Sequence, residues 1–229
     1  MKKLLILVLL SALLLPATTL AAGRLVITQE VFFVRPMLSY YASETYAEVT
    51  NTGDRPVKYN GGMIELYDVD GNSIESSNIY SMYPPILGPG EVGYIYDTTS
   101  VREAEEKSYI DDYLLTITSK GENEETITYL PSEGWYGEYQ RSAYTTEYRL
   151  VAAITNDTAE TLDNISVVIA LYDKDDNLIY ADSVRPYSIG VPSGQSIEFR
   201  TTVDSRILEA WEQEELEPAR IVTIAYSED

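Results

Sequence analysis

Two acidic runs alternate oxygen-bearing side chains at the spacing of a calcium loop: Asp68, Asp70 and Asn72, then Asp173, Asp175 and Asn177. A hard cation collects several oxygen ligands, and carboxylates placed two residues apart can supply them. A complete loop of the helix–loop–helix kind also needs Gly at its sixth position and Glu at its twelfth. Counted from Asp68 those positions hold Ser73 and Ile79, so the pattern fails. A tight hairpin accounts for the same residues, because Asp, Asn and Gly adopt the left-handed and turn conformations it requires. A turn is expected and a metal is not; Asp68, Asp70, Asp173 and Asp175 are the ligands if a cation is held.

The chain has no histidine and no cysteine. Ser-His-Asp triads, Cys-His pairs, conventional zinc sites and disulfides are therefore excluded. What remains for catalysis is carboxylate chemistry. Glu103, Glu105, Glu106, Asp111 and Asp112 form one acidic cluster, and Glu209, Glu212, Glu214 and Glu215 another. A retaining glycosidase needs two carboxyl groups about 5 Å apart in a cleft, and these runs match the solvated face of a surface helix instead. No catalytic residue is assigned, no enzyme activity is expected and no cofactor is implied. The net charge of −21 argues against nucleic acid and against adsorption to anionic membranes.

Aromatic residues offer a second kind of chemistry. Tyr80, Met82 and Tyr83 precede Pro84-Pro85, and Trp135, Tyr136, Tyr139 and Tyr144 cluster further on. Exposed rings can form a platform for a sugar or a peptide. The same rings can bury themselves against a neighbouring domain or cover the end of a core. Tyr80, Met82, Tyr83, Trp135 and Tyr136 are the candidate contacts for a ligand or partner.

The elements that must position these residues read as β nearly throughout. Segments rich in β-branched and aromatic residues run from Leu25 to Val34, Tyr46 to Asn51, Met63 to Asp68, Ile74 to Tyr80, Val92 to Asp97, Tyr113 to Ser119 and Thr126 to Leu130. A second set covers Tyr148 to Asn156, Ile165 to Asp173, Leu178 to Arg185, Ser196 to Val203 and Arg220 to Tyr226, with an opening strand expected between Trp135 and Tyr144. Gly, Pro, Asn and Asp clusters punctuate both sets. Short helices are expected at Ser100 to Lys107 and Asp204 to Leu216, with Ser100 and Asp204 as N-caps. In the second, Ile207, Leu208 and Trp211 share a face, which places Trp211 in the core.

The two sets are copies. Ala47-Glu48-Val49-Thr50-Asn51 recurs as Ala152-Ala153-Ile154-Thr155-Asn156, and Ile64-Glu65-Leu66-Tyr67-Asp68 as Ile169-Ala170-Leu171-Tyr172-Asp173, each 105 positions later. That distance exceeds solenoid periods of about 20–50 residues and marks a duplicated domain. Both copies resemble the FxLYD domain, a module of bacterial and archaeal extracytoplasmic proteins. The match rests on Val49-Thr50-Asn51, Ile64 to Asp68, Asp70-Gly71 and Pro89-Gly90, and on Ile154-Thr155-Asn156, Ile169 to Asp173, Asp175-Asp176 and Ser193-Gly194. Ile64 and Ile169 stand where the family has Phe, and Asp176 replaces the turn glycine. The resemblance implies an immunoglobulin-like sandwich and no catalysis.

Residues 1–22 read as a secretory leader: Lys2 and Lys3, an apolar stretch from Leu4 to Leu15, then small residues at Ala21-Ala22. The stretch is too short for a membrane span, which needs about 20 apolar residues. The expected fold is all-β, two tandem immunoglobulin-like antiparallel β-sandwich domains, each with a short helix. The expected boundaries are 1–22 for the leader, 23–131 for the first domain and 132–229 for the second, with Pro131 to Gly137 as linker. Thr126 to Leu130 either closes the first domain or opens the second. The expected function is that of a secreted or surface-associated, non-catalytic interaction protein whose partner is a protein or envelope polymer. A carbohydrate-binding protein using the loop aromatics and a carboxylate-based hydrolase are the alternatives.

Overall fold

The computed structural model describes residues 23–37, 39–101, 109–121, 127–142, 145–185 and 190–228. The leader, residues 102–107 of the first expected helix, Tyr144 and the loop 186–189 lie outside the described residues. The strands are β1 (Leu25–Pro36), β2 (Tyr41–Asn51), β3 (Val57–Tyr67), β4 (Ser73–Ile79), β5 (Ile86–Leu87), β6 (Val92–Val101) and β7 (Asp112–Gly121). They continue as β8 (Ile127–Leu130), β9 (Ser132–Ser142), β10 (Thr145–Thr155), β11 (Ile165–Tyr172), β12 (Leu178–Val184), β13 (Ser196–Val203) and β14 (Arg220–Glu228). Among the described residues one helix occurs, α1 (Ser205–Gln213), between β13 and β14. Ser100, expected to cap a helix, instead lies in β6 and pairs with Ala42.

These strands form antiparallel sheets: β4-β3-β5 with β7 on β3 (sheet I), β1-β2-β6 (sheet II), β12-β11-β14-β8 (sheet III) and β13-β10-β9 (sheet IV). Ala47, Val49 and Ile95 of sheet II share a buried cluster with Ile64, Leu66 and Leu115 of sheet I. Leu150, Ala152 and Ile154 of sheet IV share another with Val167, Ile169 and Leu171 of sheet III. Phe33, Tyr46 and Tyr94 of sheet II join that second cluster too. The sheets therefore stack in the order I, II, III, IV. Strand orders correspond across the repeat: β1-β2-β6 matches β9-β10-β13, and β4-β3-β7 matches β12-β11-β14.

Shared residues perform shared local tasks. Asn51 and Asn156 are fully buried. Asn51 Nδ2 donates to the Arg55 and Leu87 carbonyls, and Asn156 Nδ2 to those of Glu160 and Val191. Each amide thus satisfies the backbone of two loops, which is why a buried side chain there is polar. The Leu66 and Leu171 side chains are fully buried. The turn after each follows one pattern, with Gly71 at φ 79° and Asp176 at φ 67° in the same place. Asp is among the few residues that enter the left-handed region, and an ion pair to Arg220 holds it there.

The junction between the two sets of segments is built of strands. β8 pairs with β14, so Ile127 to Leu130 join the sheet that holds β11, β12 and β14. Ser132 to Ser142 is strand β9, paired with β10, and so the proposed linker Pro131 to Gly137 is almost all strand. Gly134 is small because it is closely packed. A Cβ there would come within 2.5 Å of Thr223 Cγ2 and 3.0 Å of Ile221 Cδ1.

Candidate functional site on the outer face of sheet IV

The turn carboxylates are occupied by their own backbone. Asp68 Oδ1 accepts from the N–H groups of Asp70 and Asn72 at 2.9 and 2.8 Å. Asp173 Oδ1 accepts from those of Asp175 and Asn177 at the same distances. The Asn72 bonds hold the Asp68 carboxyl below its usual pKa. For Asp173 burial pulls upward, and the hydrogen bonds from Asn177 and Asp175 outweigh it. Asp70 and Asp175 are exposed at the turn tips. The arrangement is an Asx turn in both copies.

The first aromatic group is dispersed. Tyr80 is 83% exposed, whereas Met82 is 1% exposed and sits in the core between sheets I and II. Tyr83 is half-buried and stacks on Tyr96 with centroids 5.8 Å apart. Met82 is thus removed as a ligand contact, since its apolar chain points into the core of a segment that looked exposed. Glu209, Glu212, Glu214 and Glu215 point outward into solvent, as do Asp111 and Asp112; Glu103, Glu105 and Glu106 lie outside the described residues.

The second aromatic group is brought to one strand and split between its faces. Along β9 Gly134 and Tyr136 turn inward, where the Tyr136 hydroxyl donates to the Pro218 carbonyl at 3.1 Å and its ring stacks on Tyr148. Burial pushes the Tyr148 phenol up to about 12. Trp211 meets the edges of Tyr148 and Tyr180, so α1 closes the end of the sheet III–IV core. Asp204 caps that helix by accepting from the Arg206 N–H at 2.8 Å. Tyr136 packs in this inner layer and also borders the groove on the other side of β9.

The odd residues of β9 turn outward. Trp135 and Tyr139 are 44% and 47% exposed, with Gly137 between them. In register beside them on β10 stand Val151, Arg149 and Glu147, and Val151 is paired in turn with Arg200 of β13. The Arg149 guanidinium lies 3.5 Å from the Tyr139 ring centroid. Its Nη2 is 3.6 Å from Glu147 Oε2, and Arg200 Nη2 is 2.6 Å from Glu198 Oε2. Arg149, Glu198 and Arg200 line an open groove of about 480 Å³ together with Val151 and residues 135–139 of β9. Val151 forms an apolar floor, Trp135 and Tyr139 the aromatic wall, and Arg149, Glu198 and Arg200 the polar side.

Sequence reading found Trp135 and Tyr139 but not Arg149, Val151, Glu198 or Arg200. The available signal was the alternation Glu147-Arg149-Val151 and Glu198-Arg200-Thr202, which marks a solvent face on each strand. Their convergence depends on strand pairing across about 50 residues of sequence.

No family model matches the chain, and no curated protein matches it. Among solved structures, the transglutaminase of red sea bream aligns with 89% of this chain at 8% identity and a TM-score of 0.22. The match spans 30% of the transglutaminase. Procruciferin, an 11S globulin from Brassica napus, aligns with 93% of this chain and 87% of its own at 8% identity and a TM-score of 0.15. Likeness at that level says nothing about activity or ligand. Among the described residues no helix is long and apolar enough to cross a membrane.

Proposed function

We propose that this chain is a secreted, non-catalytic binding protein built from two copies of an FxLYD-like, immunoglobulin-like sandwich, with a protein or envelope polymer as its partner. The observation that carries the reading is the outward row Trp135, Gly137 and Tyr139 beside Arg149 and Arg200. Large rings left in solvent next to arginines are the residue types that anchor interfaces. The leader-like residues 1–22 support secretion, and the corresponding strand orders support duplication. The lack of histidine and cysteine favours binding over catalysis.

Expression of the full chain in a bacterial host should yield a processed protein outside the cytoplasm, its N-terminus at or near Gly23. A fluorescently labelled sample should bind isolated cell envelopes saturably, and Trp135→Ala should reduce that binding. Retention of an intact leader in the cytoplasm would remove the secreted reading. Failure to bind any envelope fraction would remove the envelope partner.

A further inference from the structure

We propose that the groove on sheet IV takes an uncharged polysaccharide chain, a ligand class that rests on the binding reading above and sharpens it. Trp135 and Tyr139 lie four residues apart on one face of β9, and at about 3.3 Å per strand residue their Cα atoms are roughly 13 Å apart. That separation exceeds one sugar ring, so both aromatics engage only a chain. Gly137 keeps the space between them clear: a Cβ there would meet nothing within 4 Å. The volume of about 480 Å³ falls in the usual range for ligand clefts.

Charge decides the class of polymer. Each arginine already has a carboxylate from its own strand, Arg149 with Glu147 and Arg200 with Glu198, and Glu138 also lines the groove. An anionic polymer would have to displace those partners and approach a chain of net charge −21. A cationic one would have to displace the arginines from those same carboxylates. An uncharged sugar has neither difficulty. Its C–H faces stack on Trp135, while its hydroxyls accept from the unused N–H groups of Arg149 and Arg200 and donate to Glu198. Arg149 sits 3.5 Å over the Tyr139 ring, a contact that holds its fork in place before a ligand arrives.

The test is a titration of the full chain with linear β-1,4-linked glucose, xylose and N-acetylglucosamine oligomers of increasing length, followed by calorimetry and tryptophan emission. The chain has two tryptophans, Trp135 exposed and Trp211 buried, so a ligand on the groove alters Trp135 emission. Affinity for at least one series should rise from monomer to hexamer. Trp135→Ala, Tyr139→Ala and Arg149→Gln should each weaken it by about tenfold or more, with unchanged thermal melting showing that the fold is kept. Binding unaffected by Trp135→Ala overturns the site. Binding only to anionic polymers, with steep salt dependence, overturns the uncharged class. Absence of glycan binding while envelope binding still requires Trp135 overturns the polysaccharide and leaves a protein partner, with the binding reading intact.

Discussion

Strands β3 and β11 end in the same Leu-Tyr-Asp, yet Tyr67 is half-exposed while Tyr172 is 1% exposed. Their inward residues, Ile64 and Leu66 against Ile169 and Leu171, are buried alike. The outward residues differ: Met63, Glu65 and Tyr67 face solvent, and their counterparts Val168, Ala170 and Tyr172 face sheet II. There the Tyr172 hydroxyl donates to Glu48 at 2.5 Å and accepts from Tyr94 at 2.6 Å. Burial, with the Tyr94 and Glu48 contacts, drives the Tyr172 phenol far above its usual pKa. Gln29, set by a bulge in β1, bonds to the Leu178 N–H and the Asp176 carbonyl. One module thus serves as an outer layer in the first copy and an inner layer in the second. Of the three outward positions two differ in residue type, Met63 against Val168 and Glu65 against Ala170, while the tyrosine is kept.

The comparison breaks first, and most severely, if charge is placed on the covered face. Ala170→Glu gives β11 the residue that β3 carries, buried without a partner. It should cost about 3–5 kcal/mol in urea denaturation, whereas Glu65→Ala should leave the midpoint nearly unchanged. A small loss for Ala170→Glu would mean that sheets II and III part readily.

The inward faces should behave alike. Leu66→Ala and Leu171→Ala should each cost about 2–5 kcal/mol, as large-to-small core changes do. A loss below about 1 kcal/mol in either would put that side chain outside the core.

A finer contrast lies in the tyrosines. Tyr172→Phe leaves Glu48 Oε2 without its donor at the interface and should cost about 1–3 kcal/mol. Tyr67→Phe removes a surface contact with Glu65 and should hardly move the denaturation midpoint. Equal effects would erase the difference between the faces.

The smallest expected effect concerns pH. Burial raises the carboxyl pKa of Glu44, Asp97 and Asp182, even though Thr98 and Arg35 oppose it at Glu44, Thr99 at Asp97 and Thr201 at Asp182. With the folded pKa above the unfolded one, the native state binds more protons, so stability falls as pH rises above about 4 through these raised values. Asp68 and Asp173, held below their usual range, act oppositely, and their contribution is lost as pH falls below about 4. Melting temperature should therefore rise modestly on acidification from neutral pH toward about pH 4 and drop below it. Glu44→Gln should flatten the upper limb; an unaltered limb would show that Glu44 does not contribute to it.

What the amino-acid sequence determined by itself is local. Alternation placed nearly every strand, Asp68 and Asp173 marked their hairpins, Asp204 its helix cap, and Ile207 and Trp211 the apolar face of α1, because each depends on neighbours within a few residues. The repeat also exposed Asn51 and Asn156 as structural. The short stretch Pro131 to Gly137 between the two sets of segments reads as a linker, yet most of it is the start of β9. Ile165, Val167, Ile169 and Leu171 gave one buried face of β11; Val168, Ala170 and Tyr172 were also apolar, the continuous run of a strand covered on both sides. Tertiary structure alone decided what covers that second face, which sheet takes β8, and that Arg149 and Arg200 meet Trp135 and Tyr139 in a groove. A strand's sequence fixes which side chains share a face, but only the placement of distant strands fixes what that face meets.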